Sequence, residues 1–153
     1  MRIGIIGAGA LGLYYGAMLQ RAGNDVHFLL RRDFEAISKE GLKVFSINGD
    51  FTLPEVKSYQ TAAEIGGVDL VLVGLKTFAN RHLIELVRPL VSQNTAILTL
   101  QNGLGNEDLL AEAFGAERVL GGVAFLCSNR GESGVVHHLG EGRICFGELT
   151  GRV

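Results

Sequence analysis

RIGIIGAGALG, residues 2–12, begins as a short apolar run (Ile3, Ile5, Ile6) and breaks into Gly7, Ala8, Gly9, Ala10, Leu11 and Gly12. From there, Ala10, Tyr14, Ala17, Met18 and Ala22 recur every three or four positions, the period of a helix with one face on a sheet. A strand, a glycine turn and a helix, in that order, are the setting in which G-x-G-x-x-G has a physical meaning. Gly7 permits the tight turn, Gly9 removes the side chain that would hold a pyrophosphate off the backbone, and Gly12 lets the helix lie close to the strand. The helix N-terminus then presents unpaired N–H groups and a positive dipole end to the phosphates. The stretch predicts a Rossmann-like, doubly wound, mostly parallel α/β sheet that binds a dinucleotide. A glycine-rich turn that binds nothing is the plainer alternative.

The rest of the composition narrows the class. A chain of 153 residues is the size of one domain, and 47% hydrophobic residues with two prolines suit a compact core. Fourteen Lys and Arg against sixteen Asp and Glu leave a net charge of −2 without a long basic run, which argues against nucleic-acid and membrane partners. The opening apolar run is too short to span a bilayer and lacks the layout of a signal peptide, so a cytoplasmic protein is expected. Cys127 and Cys145 lie in apolar, strand-like segments without a CxxC pair and are expected to be reduced core residues.

Asp25 to Leu30 reads as the second strand, whose carboxyl end lies beside the adenosine ribose in a Rossmann unit. An NAD-binding version places Asp or Glu there to accept from the ribose 2′-hydroxyl, whereas this chain has Arg31 and Arg32. A guanidinium can grip a 2′-phosphate with two hydrogen bonds and stack on adenine, so the pattern favours NADP. Two solvated arginines ahead of a helix are the alternative, with Asp33 expected as that helix's N-cap.

Phe34 to Glu40 reads as a short helix, and Asn48-Gly49-Asp50 as the turn of an edge hairpin with strands over 42–47 and 51–56. Thr61 to Ile65 is a short helix. VDLVLVGL, residues 68–75, is apolar enough for a parallel strand covered on both faces, and it ends in Lys76. A helix limited by Pro89, a strand over 95–100 and a helix over 106–114 follow, with Asn102 just past the strand as Lys76 is past its neighbour. Ligands of open α/β sheets bind outside the carboxyl ends of the strands, which makes Lys76 and Asn102 candidate contacts; a snorkelling lysine and a simple Asn-Gly turn are the alternatives. A strand over 118–126 ends near Ser128, and strands over 134–139 and 143–146 are expected to form a final hairpin about Gly140-Glu141-Gly142. His137 and His138 point to opposite faces of a strand and cannot jointly hold one ion, so no metal is expected.

GAGALG (7–12), LR (30–31), VGLKTF (73–78) and QNGLGN (101–106) together resemble the ketopantoate reductase family, over the whole chain. The resemblance implies an NADPH-dependent oxidoreductase that reduces 2-dehydropantoate to pantoate on the route to coenzyme A. By position, it implies that Gly7, Ala8, Gly9, Ala10, Leu11 and Gly12 cradle the pyrophosphate and that Arg31 meets the 2′-phosphate. It implies that Lys76 and Asn102 lie near the nicotinamide ribose and the substrate, and Ser128 near the nicotinamide. In that family the general-acid lysine and most substrate contacts belong to a helical C-terminal domain, so residues 1–153 are expected to form the NADP-binding half with no catalytic residue of its own. On this footing the chain is expected to bind NADP(H) weakly or not at all and not to turn over, and a homodimer is an expectation for the full-length form. A related 2-oxo acid reductase, or an NADP-binding sensor or scaffold without catalysis, would carry the same motifs. A methyltransferase would call for an acid where Arg31 stands.

Overall fold

The computed structural model describes residues 1–74, 82–100 and 106–148 of the chain. Nine strands form one sheet: β1 (Arg2–Ile6), β2 (Asp25–Leu29), β3 (Leu42–Ser46), β4 (Phe51–Leu53), β5 (Lys57–Tyr59), β6 (Val68–Val73), β7 (Val91–Thr99), β8 (Val119–Arg130) and β9 (Val135–Glu148). The spatial order is β4-β3-β9-β8-β7-β6-β1-β2-β5. From β5 to β8 every neighbouring pair is parallel, while β8–β9 and β3–β4 are antiparallel. The fold is therefore the expected doubly wound α/β sheet with antiparallel additions.

Among the described residues five α-helices cover the sheet: α1 (Ala10–Arg21), α2 (Phe34–Glu40), α3 (Ala62–Ile65), α4 (Leu83–Val87) and α5 (Asn106–Phe114). They divide the buried side chains into two cores. Leu13, Tyr14 and Ala17 of α1 and Ile37 of α2 pack with Ile3, Ile5 and Phe28, whereas Ile65, Leu83, Val87 and Leu110 pack with Ile6 and Val71 on the other face. Successive residues of β1 point to opposite faces, which is why Ile5 and Ile6 serve different cores.

The two longest strands bend the sheet round α1. β8 pairs with β7 only over Val119 to Gly121 and then runs on as a ribbon with β9, whose first residues pair with β3. Ala124, Leu126 and Ile144 of the ribbon pack onto the α1 core. The final hairpin expected about Gly140-Glu141-Gly142 is not formed, because β9 passes through these residues as one strand. Glu141 has φ +61 and Gly142 φ +144, and the ladder slips by a residue against Leu126, so the extra length is absorbed as a bulge that bends the strand instead of reversing it. The true turn lies earlier, between β8 and β9.

The cysteines also depart from expectation, since Cys127 and Cys145 are both exposed free thiols. They occupy the outer face of the ribbon with Val123 and Phe125, opposite the face that packs on α1. A strand covered on one side only leaves half of its apolar residues outside, whatever their type. No helix among the described residues is long and apolar enough to cross a membrane.

Candidate functional site

The chain crosses from one side of β1 to the other between β2 and β6, so the carboxyl ends of β1 and β6 flank a topological switch point, the place where open α/β sheets bind ligands. Residues 7–9 leave β1 at this point. Gly7 has φ +94, a conformation that L side chains rarely adopt. A Cβ on Gly12 would stand 2.2 Å from the Gly7 carbonyl oxygen, so only glycine allows α1 to start this close to the turn. A Cβ on Gly9 would meet nothing within 4 Å. The backbone at Gly9 is thus open on the side where a pyrophosphate would sit, and the residues present fit that group.

The helix end supports the same fit. Gly9 stands at the N-cap of α1 with no side chain to bond the first-turn N–H groups, and that turn holds no acidic residue. Its partial positive charge is left for a ligand. On the neighbouring strand, the Gly74 N–H donates to the Ile6 carbonyl at 2.8 Å, and a Cβ on Gly74 would lie 3.2 Å from the Gly7 oxygen. On the next, the Leu100 N–H donates to the Val73 carbonyl at 2.9 Å. The exits of β1, β6 and β7 therefore lie side by side. Lys76 and Asn102 follow two residues after Gly74 and Leu100, and both lie outside the described residues.

At the end of β2, the Leu30 N–H donates to the Tyr59 carbonyl at 2.8 Å, and the chain emerges as Arg31 and Arg32. Both are exposed, and neither side chain has a partner among the described residues. Asp33 does not cap α2. Its backbone is helical (φ −90, ψ −1), which turns the carboxylate away from the first-turn N–H groups. The side chain is buried instead, with Oδ1 accepting from the Gly134 N–H at 3.0 Å and Oδ2 accepting from Arg130 Nη2.

Ser128 lies within β8, two residues short of its end and paired with His138. His138 is buried, stacks on Tyr14 of α1 at 4.4 Å between centroids, and lies 2.5 Å from the Glu141 carbonyl through Nε2. A carbonyl only accepts, so Nε2 carries a proton there, and the Ser46 hydroxyl lies 2.8 Å from Nδ1. His137 stacks on Phe45, so the two imidazoles do face apart. Burial, aggravated by the neighbouring Tyr14, pushes the Tyr15 phenol up to about 12, so it stays protonated at neutral pH.

Sequence reasoning missed Gly74 and the Asp33–Arg130 pair. A glycine straight after the buried parallel strand β6, in the same place as Gly7 after β1, could have flagged Gly74. Nothing local could have joined Asp33 to a residue 97 positions away. An open groove of about 390 Å³ beside the start of α5 is lined by Glu107, Glu148, Gly121, Gly122, Gly147 and Val123. Its two carboxylates make it a poor seat for a phosphate or a 2-oxo acid.

The family model described as ketopantoate reductase PanE/ApbA matches residues 3–151. A 2-dehydropantoate 2-reductase of Nostoc is 49% identical over 95% of this chain and 46% of its own length. The crystal structure of 2-dehydropantoate 2-reductase from Geobacter metallireducens superposes with a TM-score of 0.97 at 72% identity, over 100% of this chain and 51% of that one. A D-mandelate dehydrogenase solved with NADH and anilino(oxo)acetate superposes with a TM-score of 0.87 at 25% identity, over 97% of this chain and 49% of that one. The chain thus spans about half the length of the relatives it matches.

Proposed function

The chain belongs to the ketopantoate reductase PanE/ApbA family of oxidoreductases, and from that we propose that it is the NADP-binding part of an enzyme that reduces 2-dehydropantoate to (R)-pantoate, a step towards pantothenate and coenzyme A. The observation that carries the cofactor half of this reading is the open backbone at Gly9 on the switch point, followed at the end of β2 by arginines with no partner among the described residues.

Reduced nicotinamide, when bound, supplies a hydride. In this reading the chain's own residues bind and orient. Gly7 to Gly12 hold the pyrophosphate with backbone N–H groups, and Arg31 pairs with the 2′-phosphate. Lys76 and Asn102 reach the nicotinamide ribose and the substrate from the exits of β6 and β7, and Ser128 lies near the nicotinamide. The proton donor to the developing alkoxide is a lysine outside these 153 residues, so the chain alone does not turn over. The full protein would be cytoplasmic and a homodimer.

The D-mandelate dehydrogenase solved with NADH gives the choice between cofactors its weight. Titrating NADPH and NADH against the protein and against Arg31→Ala decides it. Loss of a charge-assisted two-pronged contact should cost NADPH about 1.5–3 kcal/mol and NADH much less. Equal losses for both cofactors would remove the 2′-phosphate from the reading.

A further inference from the structure

We propose that Arg130 determines cofactor selectivity by acting through Asp33: it withdraws and neutralises a carboxylate that would otherwise oppose a 2′-phosphate at Arg31 and Arg32. The inference rests on the NADP reading above and names a residue at the far end of β8 that touches no part of the glycine loop.

An acid just past β2 is the device by which dinucleotide folds favour NAD, since it accepts from the ribose 2′-hydroxyl and repels a phosphate there. Asp33 is such an acid, two residues beyond Arg31. Yet only 3% of its surface is exposed, and both of its oxygens are used, one by the Gly134 N–H and one by Arg130. Among the described residues Asp33 is the only acceptor that Arg130 meets, and the Arg130 Nε is buried without a partner. The guanidinium is thus committed to this one carboxylate. A carboxylate stripped of its counter-charge is strongly disfavoured in a buried site. Without Arg130, the Asp33 side chain would turn out to solvent beside the exposed Arg31 and Arg32. There it would compete with a 2′-phosphate for the same guanidinium groups. The β8–β9 turn, seated against the start of α2, therefore keeps the post-β2 loop free of negative charge.

The experiment is a double-mutant cycle read as binding, with NADPH and NADH titrated separately against the wild-type protein, Arg130→Met, Asp33→Asn and the double variant. Arg130→Met should lower the NADPH-to-NADH affinity ratio about ten-fold, through NADPH. The double variant, with no charge left to mask, should return the ratio to within about three-fold of wild type, and Arg130→Lys should hold it. A purely structural role would weaken both cofactors together and would not be rescued by Asp33→Asn. Should Arg130→Met fail to fold, Arg130→Gln can still donate to Asp33 without its charge and puts the same question. An unchanged ratio in Arg130→Met and Arg130→Gln of a protein that prefers NADPH overturns the inference alone. A wild-type protein with no preference overturns the NADP reading and the inference with it.

Discussion

Gly9 and Gly12 sit three residues apart in one loop and answer to different constraints. Gly12 faces backbone, because an added Cβ would come within 2.2 Å of the Gly7 oxygen, so Gly12→Ala should destabilise the fold by about 1–3 kcal/mol as an overpacked site does. Gly9 faces open space, and Gly9→Ala should leave the stability within about 0.5 kcal/mol of wild type while weakening dinucleotide binding. Thermal melts and cofactor titrations of the two variants, side by side, check this. Unchanged affinity in Gly9→Ala would mean that no pyrophosphate uses the cradle. These glycine roles were legible because strand, turn and helix follow one another within a dozen residues. The role of Asp33 was not, because its partners Arg130 and Gly134 reach it only through the curl of the ribbon.

Among the elements, α2 falls over the expected Phe34–Glu40, bounded by Gly41 at φ +79, and the β3–β4 hairpin forms about Asn48-Gly49. Both rest on local turn chemistry. β5 escaped notice because Lys57–Tyr59 is three residues long with no alternation to read, and only its parallel pairing with β2 makes it a strand. β9 departs from expectation for the opposite reason, since Gly-Glu-Gly looks like a turn in a sequence and here is a bulge held in place by the buried His138 ring. Glu141 pays the steric penalty of that bulge as the one non-glycine residue with positive φ among those described. Glu141→Gly should therefore raise stability by about 0.5–1 kcal/mol, and Glu141→Val should lower it by a similar amount or more. Denaturant melts of the two variants give the comparison, and a loss of stability in Glu141→Gly would contradict the strained-bulge account.

At the scale of the whole molecule, acid stability depends on a pair at the sheet edge remote from the candidate site. Lys57, 2.5 Å away, and then His27 hold the Asp25 carboxyl down to about 2, against an ordinary 3.8. A group whose folded value is depressed stabilises the fold above its ordinary value and loses that contribution as pH falls through the folded one. The window is thus between about pH 4 and pH 2. Asp25 is 39% exposed, so the contribution is limited to about 1 kcal/mol or less by solvent screening. Asp25→Asn should flatten this part of the stability–pH curve, measured as thermal midpoint against pH. If the variant keeps the same acid slope as the wild type, the carboxylate responsible lies elsewhere.

The β3–β9 ladder joins residues as far as 92 positions apart, and β9 is an interior strand although it is the last of those described. Contacts this distant must wait for a long loop to close, so they form late and slow the folding of a chain that depends on them. During synthesis on a ribosome, the β3–β4 hairpin emerges early and has no sheet to join until about eighty further residues have followed. Its open edge, with Phe45 and Ile47 facing water, is the stretch of a nascent chain that a chaperone would have to shield.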